Sequence, residues 1–238
     1  MAKPQRKTVL VIDDDKMVQR YIEEFFKRLK FVFYAASDGY EGLKFALSSK
    51  PDLIFLDIMM PRFDGFKTLQ VLKSNDLTKN IPVVVMTAYS DRINVVSACK
   101  LGAAAVITKP LTEEIFFEKL KQIFGEKFVR SVIPRDPKET ENPFGVKEDE
   151  YNEVVRGMVE EFLKYYSAEV EDLERAVHEK NVDVIRRITH SLRGTGGSFG
   201  YGGAAALAVR LNELVHTSPI DWEEAEEVLI MLKNKLQR

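Results

Sequence analysis

The sequence has a single cysteine, Cys99, among its 238 residues, which excludes an internal disulfide framework. It also lacks any run near the roughly 18 consecutive apolar residues of a membrane-spanning helix, so no membrane partner is expected. The first apolar stretch reaches Asp13, Asp14 and Asp15 too soon for a secretion signal. These absences predict a protein of the reducing cytoplasm.

A strong excess of basic residues is missing as well. The net charge is -2 overall, with +4 on residues 1–125 and -7 on residues 148–238. Neither part has the basic surplus of a nucleic-acid-binding protein, and no basic recognition helix is evident. We therefore expect no nucleic-acid partner and disfavour a transcription factor.

Short apolar segments and amphipathic helical segments alternate through residues 1–125. The apolar segments are rich in Val and Ile, as strands buried on both faces are. This alternation predicts an α/β domain with a five-stranded parallel sheet that helices cover on both faces. The strand candidates are residues 8–12, 31–36, 53–56, 83–86 and 104–107.

The second part of the chain has a different pattern. Residues 126–147 contain three prolines and mixed charges, which predicts an exposed linker. Residues 148–238 show helical periodicity with short interruptions and no strand signal, which predicts an antiparallel helical bundle. Asp221 is a candidate N-cap for the last helix.

Five polar residues follow the predicted strands directly. In a parallel α/β sheet the carboxyl ends of the strands form the ligand-binding edge, so these side chains should lie close together. Clustered carboxylates favour a cation, and oxygen ligands suit Mg²⁺, while a lysine and a hydroxyl could hold phosphoryl oxygens. The five residues are Asp13, Asp14, Asp57, Thr87 and Lys109.

Four motifs make residues 1–125 resemble a response-regulator receiver domain: "VLVIDDD", "PDLIFLDIMMPRFDG", "VVVMTAYS" and "AAAVITKPL". The resemblance implies a flavodoxin-like fold in which Asp57 is the phosphoacceptor. It also implies that Lys109 pairs with the phosphoryl group and that Thr87 moves to bind it. The Mg²⁺ ligands that it implies are Asp13, Asp14, Asp57 and the carbonyl of Met59.

Two details bear on how this domain would signal. Receivers often carry Tyr or Phe three residues before the lysine, whereas this chain has Val106, which places the aromatic part of the output switch in doubt. The Lys109–Pro110 bond resembles the cis peptide of the family. We further hypothesise that Met59 and Tyr89, bulky residues near the phosphoacceptor and the threonine, slow hydrolysis of the acyl phosphate.

The stretch "HSLRGTGGSFG", residues 190–200, contains the second candidate site. Counting 100° per residue places Ile188 and Leu192 opposite His190, so we expect this histidine to be exposed. Glycines on its side would remove bulk and let a phosphoryl group approach, and arginines would offset negative charge. The residues predicted to share its face are Arg186, Arg187, Arg193, Gly194 and Gly197.

A nucleotide-binding glycine loop is excluded here because a helix, not a strand, precedes the glycines. A histidine-kinase dimerisation helix is disfavoured because only about 40 residues follow, too few for an ATP-binding domain. The stretch instead resembles the signature of the histidine-containing phosphotransfer (Hpt) domain. Arg193 stands where that family usually has lysine.

Together the resemblances imply a bacterial two-component phosphorelay protein. Asp57 would accept a phosphoryl group with Mg²⁺, and His190 would exchange one with an aspartate of its own or another receiver. The expected partners are a sensor histidine kinase and receiver domains of response regulators, and no ATP-driven kinase activity is expected. The alternative is a receiver switch that gates a helical protein-binding module without transfer through His190. The direction of flow and the oligomeric state stay open.

Overall fold

The computed structural model describes residues 6–60, 65–87, 92–133 and 148–237. The chain divides into two compact units, residues 1–148 and 149–238. The first unit contains five strands and six helices within the described residues. Its strands are β1 Thr8–Ile12, β2 Val32–Ala36, β3 Leu53–Asp57, β4 Val83–Thr87 and β5 Ala105–Thr108. Its helices are α1 Lys16–Arg28, α2 Gly39–Ser49, α3 Gly65–Ser74, α4 Arg92–Lys100, α5 Glu113–Phe124 and α6 Glu126–Val132.

All five strands are parallel, in the order β2-β1-β3-β4-β5. Every predicted strand is present, and its ends differ from the prediction by one residue at most. The order reverses direction next to β1, so the carboxyl ends of β1 and β3 meet at the topological switch point. This confirms the doubly wound fold class.

Both faces of the sheet are buried, which explains why the strands are apolar without alternation. Along β1, Val9 and Val11 pack in one core with α1, α5 and α6, whereas Leu10 and Ile12 pack in another with α2, α3 and α4. The first core is aromatic, because Phe25, Phe26 and Phe116 lie in contact within it. The two cores hold the strand ends in a fixed arrangement.

Helix α6 differs from the sequence prediction, which placed residues 126–132 in an exposed linker. Val129 of α6 is fully buried in the aromatic core, and the Phe128 ring lies 5.0 Å from that of Phe124. Gly125 separates α5 from α6 with a φ of +85°, a conformation that glycine adopts without strain. The prolines that favoured a linker all lie in residues 134–147, outside the described residues.

The second unit is helical, as predicted. Its helices within the described residues are α7 Glu148–His178, α8 Val182–Thr195, α9 Gly202–Leu214 and α10 Trp222–Leu236. The side chain of Asn181 caps α8, and that of Asp221 caps α10 by accepting from the Glu224 N–H, as the sequence indicated. Ile185, Ile188 and Leu192 of α8 are fully buried, so the predicted core face of this helix is confirmed.

Candidate functional sites

The carboxyl ends of β1 and β3 bring three carboxylates together. Ile12 pairs with Leu56 in the sheet, so Asp13 and Asp57 follow side by side. Carboxylate oxygens of Asp13, Asp14 and Asp57 all lie within 4.8 Å of one another. Asp13 and Asp57 are buried, whereas Asp14 is partly exposed. The edge of the sheet that the sequence indicated therefore carries a concentrated negative charge.

Lys109 provides the positive charge at this cluster. Its Nζ lies 2.8 Å from Asp57 Oδ2 and 3.1 Å from Asp13 Oδ2, and only 5% of its side chain is exposed. The Lys109 N–H donates to the Thr87 carbonyl over 2.8 Å, and the bond to Pro110 is cis, as expected. The lysine is thus fixed between both buried carboxylates by the ends of β4 and β5.

Backbone groups hold the two buried carboxylates on their other side. The N–H of Met59 donates to Asp57 Oδ1 over 2.8 Å, and the N–H of Asp15 donates to Asp13 Oδ1 over 2.9 Å. Each carboxylate therefore has one oxygen on a backbone donor and one on Lys109. This arrangement orients the carboxylates before any ligand arrives.

The electrostatics of the cluster favour a cation. Burial raises the pKa of Asp13 well above its ordinary value, and Lys109 opposes this only in part. Burial, aided by the Asp57 carboxylate, raises the pKa of Asp14 to about 6. Burial lowers the pKa of Lys109, but Asp13 and Asp57 outweigh it, so the net pKa is raised. One lysine leaves net negative charge among oxygen ligands, a donor set that fits Mg²⁺.

For the other predicted residues of this site, the structure gives burial and packing. Thr87 ends β4 and is fully buried. The side chains of Met59 and Val106 are half-buried and pack against the core that contains Leu10 and Ile12. Tyr89, which with Met59 is hypothesised to slow hydrolysis of the acyl phosphate, lies outside the described residues.

His190 lies on α8 opposite the buried Ile188 and Leu192, but it is half-buried rather than exposed as predicted. Arg193, one turn later, places its Nη2 3.1 Å from His190 Nδ1. Helical counting predicts that His190 points away from the core, but it cannot include the contact of a neighbouring side chain with the ring.

The two other predicted arginines have different partners. Arg187 forms an ion pair with Glu169 of α7, with Nη1 and Oε2 3.2 Å apart. Nη2 of Arg186 donates to the Val215 carbonyl over 3.3 Å, and its buried Nε has no hydrogen-bond partner among the described residues. Of the three arginines, the structure brings Arg193 to His190.

The glycines of this stretch shape the connection from α8 to α9. Gly194 is buried and Gly197 is half-buried, so Gly194 is not on an open surface beside His190. A Cβ on Gly196 would lie 2.9 Å from the Leu192 carbonyl oxygen and 3.2 Å from Ala205 Cβ. Gly200 has a φ of +87° where the chain turns into α9. Close packing and a tight turn account for these two glycines.

Comparison with known proteins finds one domain family in each of the two parts of the chain. A response regulator receiver domain matches residues 9–121, and an Hpt domain matches residues 157–238. Protein PilG of Pseudomonas aeruginosa is 32% identical over 113 residues, which cover 48% of this chain and 84% of PilG. The chain belongs to the response regulator receiver family and also carries an Hpt domain.

Other relatives match about half of the chain. Response regulator PleD of Caulobacter vibrioides is 33% identical over 121 residues, which cover 51% of this chain and 27% of PleD. The signal receiver domain of a DNA binding response regulator from Colwellia psychrerythraea 34H is 30% identical, covers 50% of this chain and 99% of its own, and has a TM-score of 0.48. The chain thus spans only about a quarter of PleD.

A receiver domain and an Hpt domain in one chain indicate two-component phosphorelay signalling. Both are phosphotransfer modules rather than kinases. Receiver domains bind Mg²⁺ through an acidic pocket, and Asp13, Asp14 and Asp57 form such a pocket here. Within the described part of the chain, no helix has both the length and the apolar character needed to cross a membrane.

In the receiver domain, two residues that support the site were not predicted. Buried Gln19 of α1 donates from Nε2 to the Asp13 carbonyl over 2.6 Å and to the Ala36 carbonyl over 3.0 Å. A Cβ on Gly65 would lie 2.3 Å from the Asp57 carbonyl oxygen, so only glycine lets α3 begin this close to β3. A glutamine within the apolar face of α1 was the available signal for Gln19.

In the Hpt domain, Tyr166 of α7 supports the turn that contains His190. Its hydroxyl lies 2.7 Å from Ser191 Oγ and 2.7 Å from Thr195 Oγ1, and its side chain is almost fully buried. Thr195 Oγ1 also donates to the Ser191 carbonyl. This network ties α7 to the residue that follows His190. Sequence reasoning could not find it, because it joins residues 25 and more positions apart.

Proposed function

We propose that Asp57 accepts a phosphoryl group in a Mg²⁺-dependent reaction and that His190 carries a phosphoryl group and exchanges it with a receiver aspartate. The observation that carries the first half is the contact of Lys109 with both buried carboxylates, 2.8 Å from Asp57 and 3.1 Å from Asp13. The second half is supported by the match of an Hpt domain around His190.

In the first reaction, an Asp57 carboxylate oxygen attacks phosphorus while the bond from phosphorus to the donor atom breaks. The Met59 N–H and Lys109 hold the carboxylate in place, so little reorganisation precedes attack. Lys109 then pairs with one phosphoryl oxygen, and the Thr87 hydroxyl donates a hydrogen bond to another phosphoryl oxygen. Mg²⁺, held by Asp13, Asp14, Asp57 and the Met59 carbonyl, would neutralise phosphoryl charge.

In the second reaction, a nitrogen of His190 exchanges the phosphoryl group with an aspartate of a receiver domain. That aspartate belongs to this chain or to another response regulator, and a sensor histidine kinase is the expected donor to Asp57. Positioning and electrostatics supply the catalysis, because the two nucleophiles need only be held in line. The chain then acts as a cytoplasmic phosphoryl carrier, with no kinase activity of its own and no nucleic-acid partner.

Phosphotransfer with a radiolabelled donor tests this proposal. The full chain, Asp57→Ala and His190→Ala are incubated with Mg²⁺ and labelled histidine kinase, and separately with labelled receivers. We expect Asp57→Ala to lose the transfer of label from the kinase to the receiver aspartate. We expect His190→Ala to lose the histidine-bound label. Asp76→Ala and His216→Ala are matched controls, since both residues are exposed.

The outcomes separate the two halves of the proposal. Label that reaches Asp57 equally well in the presence of a chelator would contradict the Mg²⁺ dependence. A histidine-bound label that never forms from any receiver would contradict the relay and favour a receiver that gates a helical binding module.

A further inference from the structure

One contact of the Hpt domain has a chemical consequence for the histidine. Arg193 Nη2 lies 3.1 Å from His190 Nδ1. A guanidinium can donate hydrogen bonds but cannot accept them, and it stays protonated in proteins. Nδ1 must therefore accept this hydrogen bond and carries no proton. In the neutral imidazole the single ring proton then lies on Nε2.

The surroundings single out Arg193 for this role. Arg187 is engaged with Glu169, and Arg186 donates to the Val215 carbonyl. Arg193 sits one helical turn after His190, a spacing at which side chains on a helix are neighbours. Its side chain is half-buried, as is that of His190, so the hydrogen bond is partly shielded from water.

We propose that Arg193 is a positioning residue that holds Nδ1 of His190 as an unprotonated acceptor and so acts as a latch on phosphoryl exchange. The proposal rests on the proposed role of His190 as a phosphoryl carrier. In this proposal Arg193 acts through its hydrogen bond to Nδ1 of the ring, in addition to any charge that it offers to a phosphoryl group.

The latch acts when His190 accepts a phosphoryl group. For Nε2 to attack phosphorus it needs a lone pair, so the ring proton must move to Nδ1 and Arg193 must release that atom. The new N–P bond forms while the P–O bond to the donor aspartate breaks, and the aspartate leaves as a carboxylate. The ring is then an imidazolium, and loss of the Nδ1 proton to water restores the acceptor for Arg193.

The latch also acts when the phosphoryl group leaves. Breaking the N–P bond is easier when Nδ1 is protonated, since the ring then leaves as a neutral imidazole. Arg193 competes with that proton for the same lone pair, so the phosphoryl group should persist while the contact lasts. A docking receiver carries an acidic pocket, as Asp13, Asp14 and Asp57 illustrate here, and its carboxylates could draw the guanidinium away.

Nitrogen NMR of the full chain with ¹⁵N-labelled histidine tests the resting state directly, at about pH 8 where histidine is mostly neutral. We expect wild type and Arg193→Lys to show His190 as the Nε2–H form with unprotonated Nδ1. Arg193→Met, which keeps length but has no donor, should shift His190 toward a mixture of both forms. Arg187→Met is the matched control and should match wild type.

A protonated Nδ1 in the wild type, or an Arg193→Met spectrum identical to it, would overturn the proposal. This readout needs no phosphotransfer. A chain that shows the expected ring form but never carries label on His190 would therefore refute the proposed function and leave the resting contact established.

The lifetime of the phosphoryl group provides the second measurement. The Asp57→Ala chain, which lacks the receiver's phosphoacceptor, is phosphorylated with phosphoramidate, and loss of phosphate is followed without any receiver. Adding Arg193→Met should shorten the half-life of the phosphohistidine by roughly three- to tenfold, the worth of one hydrogen bond. Arg193→Lys should restore most of it, and an unchanged half-life in Arg193→Met would count against the latch.

Discussion

The ammonium group of Lys109 lies 2.8 Å from the carboxylate of Asp57, although the strands that end beside them, β5 and β3, are separated by β4. The same ammonium group reaches Asp13 at the end of β1. One buried cation thus joins side chains from three strands. Both ion pairs are almost fully shielded from water, so their loss should affect stability as well as chemistry.

Replacing Lys109 with Met should destabilise the receiver domain by about 3 kcal/mol at pH 8, because two buried carboxylates lose their cation. The pKa of Asp13 is already raised by burial, and without Lys109 it should rise further. Protonation of the carboxyls then restores stability as the pH falls, so the deficit should shrink at pH 5. Urea unfolding at both pH values measures this. Lys79→Met, which removes a partner of exposed Asp76, should have little effect at either pH.

Replacing Asp14 with Asn should stabilise the protein in the absence of Mg²⁺. The pKa of Asp14 is about 6, above its ordinary 3.8, so the folded state holds its proton more tightly than the unfolded state. This group therefore opposes folding increasingly as the pH rises from about 4 to about 6, with the full effect above pH 6 and almost none below pH 4. We expect a gain on the order of 1 kcal/mol at pH 8, allowing for solvent screening, and none at pH 4.

Added Mg²⁺ should make the wild type more stable than Asp14→Asn, which reverses their order of stability without the ion. The ion stabilises the wild type by binding its folded state, whereas Asp14→Asn lacks a ligand and should respond weakly. Thermal unfolding at pH 8 with and without Mg²⁺ measures both effects. An Asp14→Asn chain that gains as much stability from Mg²⁺ as the wild type would contradict the assignment of Asp14 as a ligand.

The strands and the residues at their ends could be predicted from sequence, because a doubly wound sheet buries both faces of each strand and places ligands at the carboxyl edge. Helix α6 could not be predicted, because a segment of seven residues with few apolar positions is too short to show a helical period. The partial burial of His190 was missed for another reason. The helix angle fixes the direction in which a side chain leaves the backbone, but the hydrogen bond of Arg193 to the His190 ring depends on the Arg193 rotamer.

Helix α6 should stabilise the receiver domain. Val129 is fully buried in the aromatic core, so Val129→Ala should cost about 2 kcal/mol. Val71→Ala, at an exposed position of α3, should cost much less. Urea unfolding followed by far-UV circular dichroism measures the change. Fluorescence of Trp222, the only tryptophan of the sequence and part of the Hpt domain, reports the other unit. A Val129→Ala chain as stable as the wild type would show that α6 is dispensable for the core.

Removing the hydroxyl of Tyr166 should weaken the turn that contains His190. Tyr166→Phe leaves the Ser191 and Thr195 hydroxyls without their shared partner in a buried place, which should cost about 1–2 kcal/mol. The unfolding transition of Trp222 fluorescence measures this in the Hpt domain. The neighbouring Tyr165→Phe is a close control, because that ring is 39% exposed and its change should be near neutral. Equal effects of the two substitutions would contradict a stabilising role for the Tyr166 hydroxyl. A loss confined to Tyr166→Phe, together with slower labelling of His190, would connect this buried network to phosphotransfer.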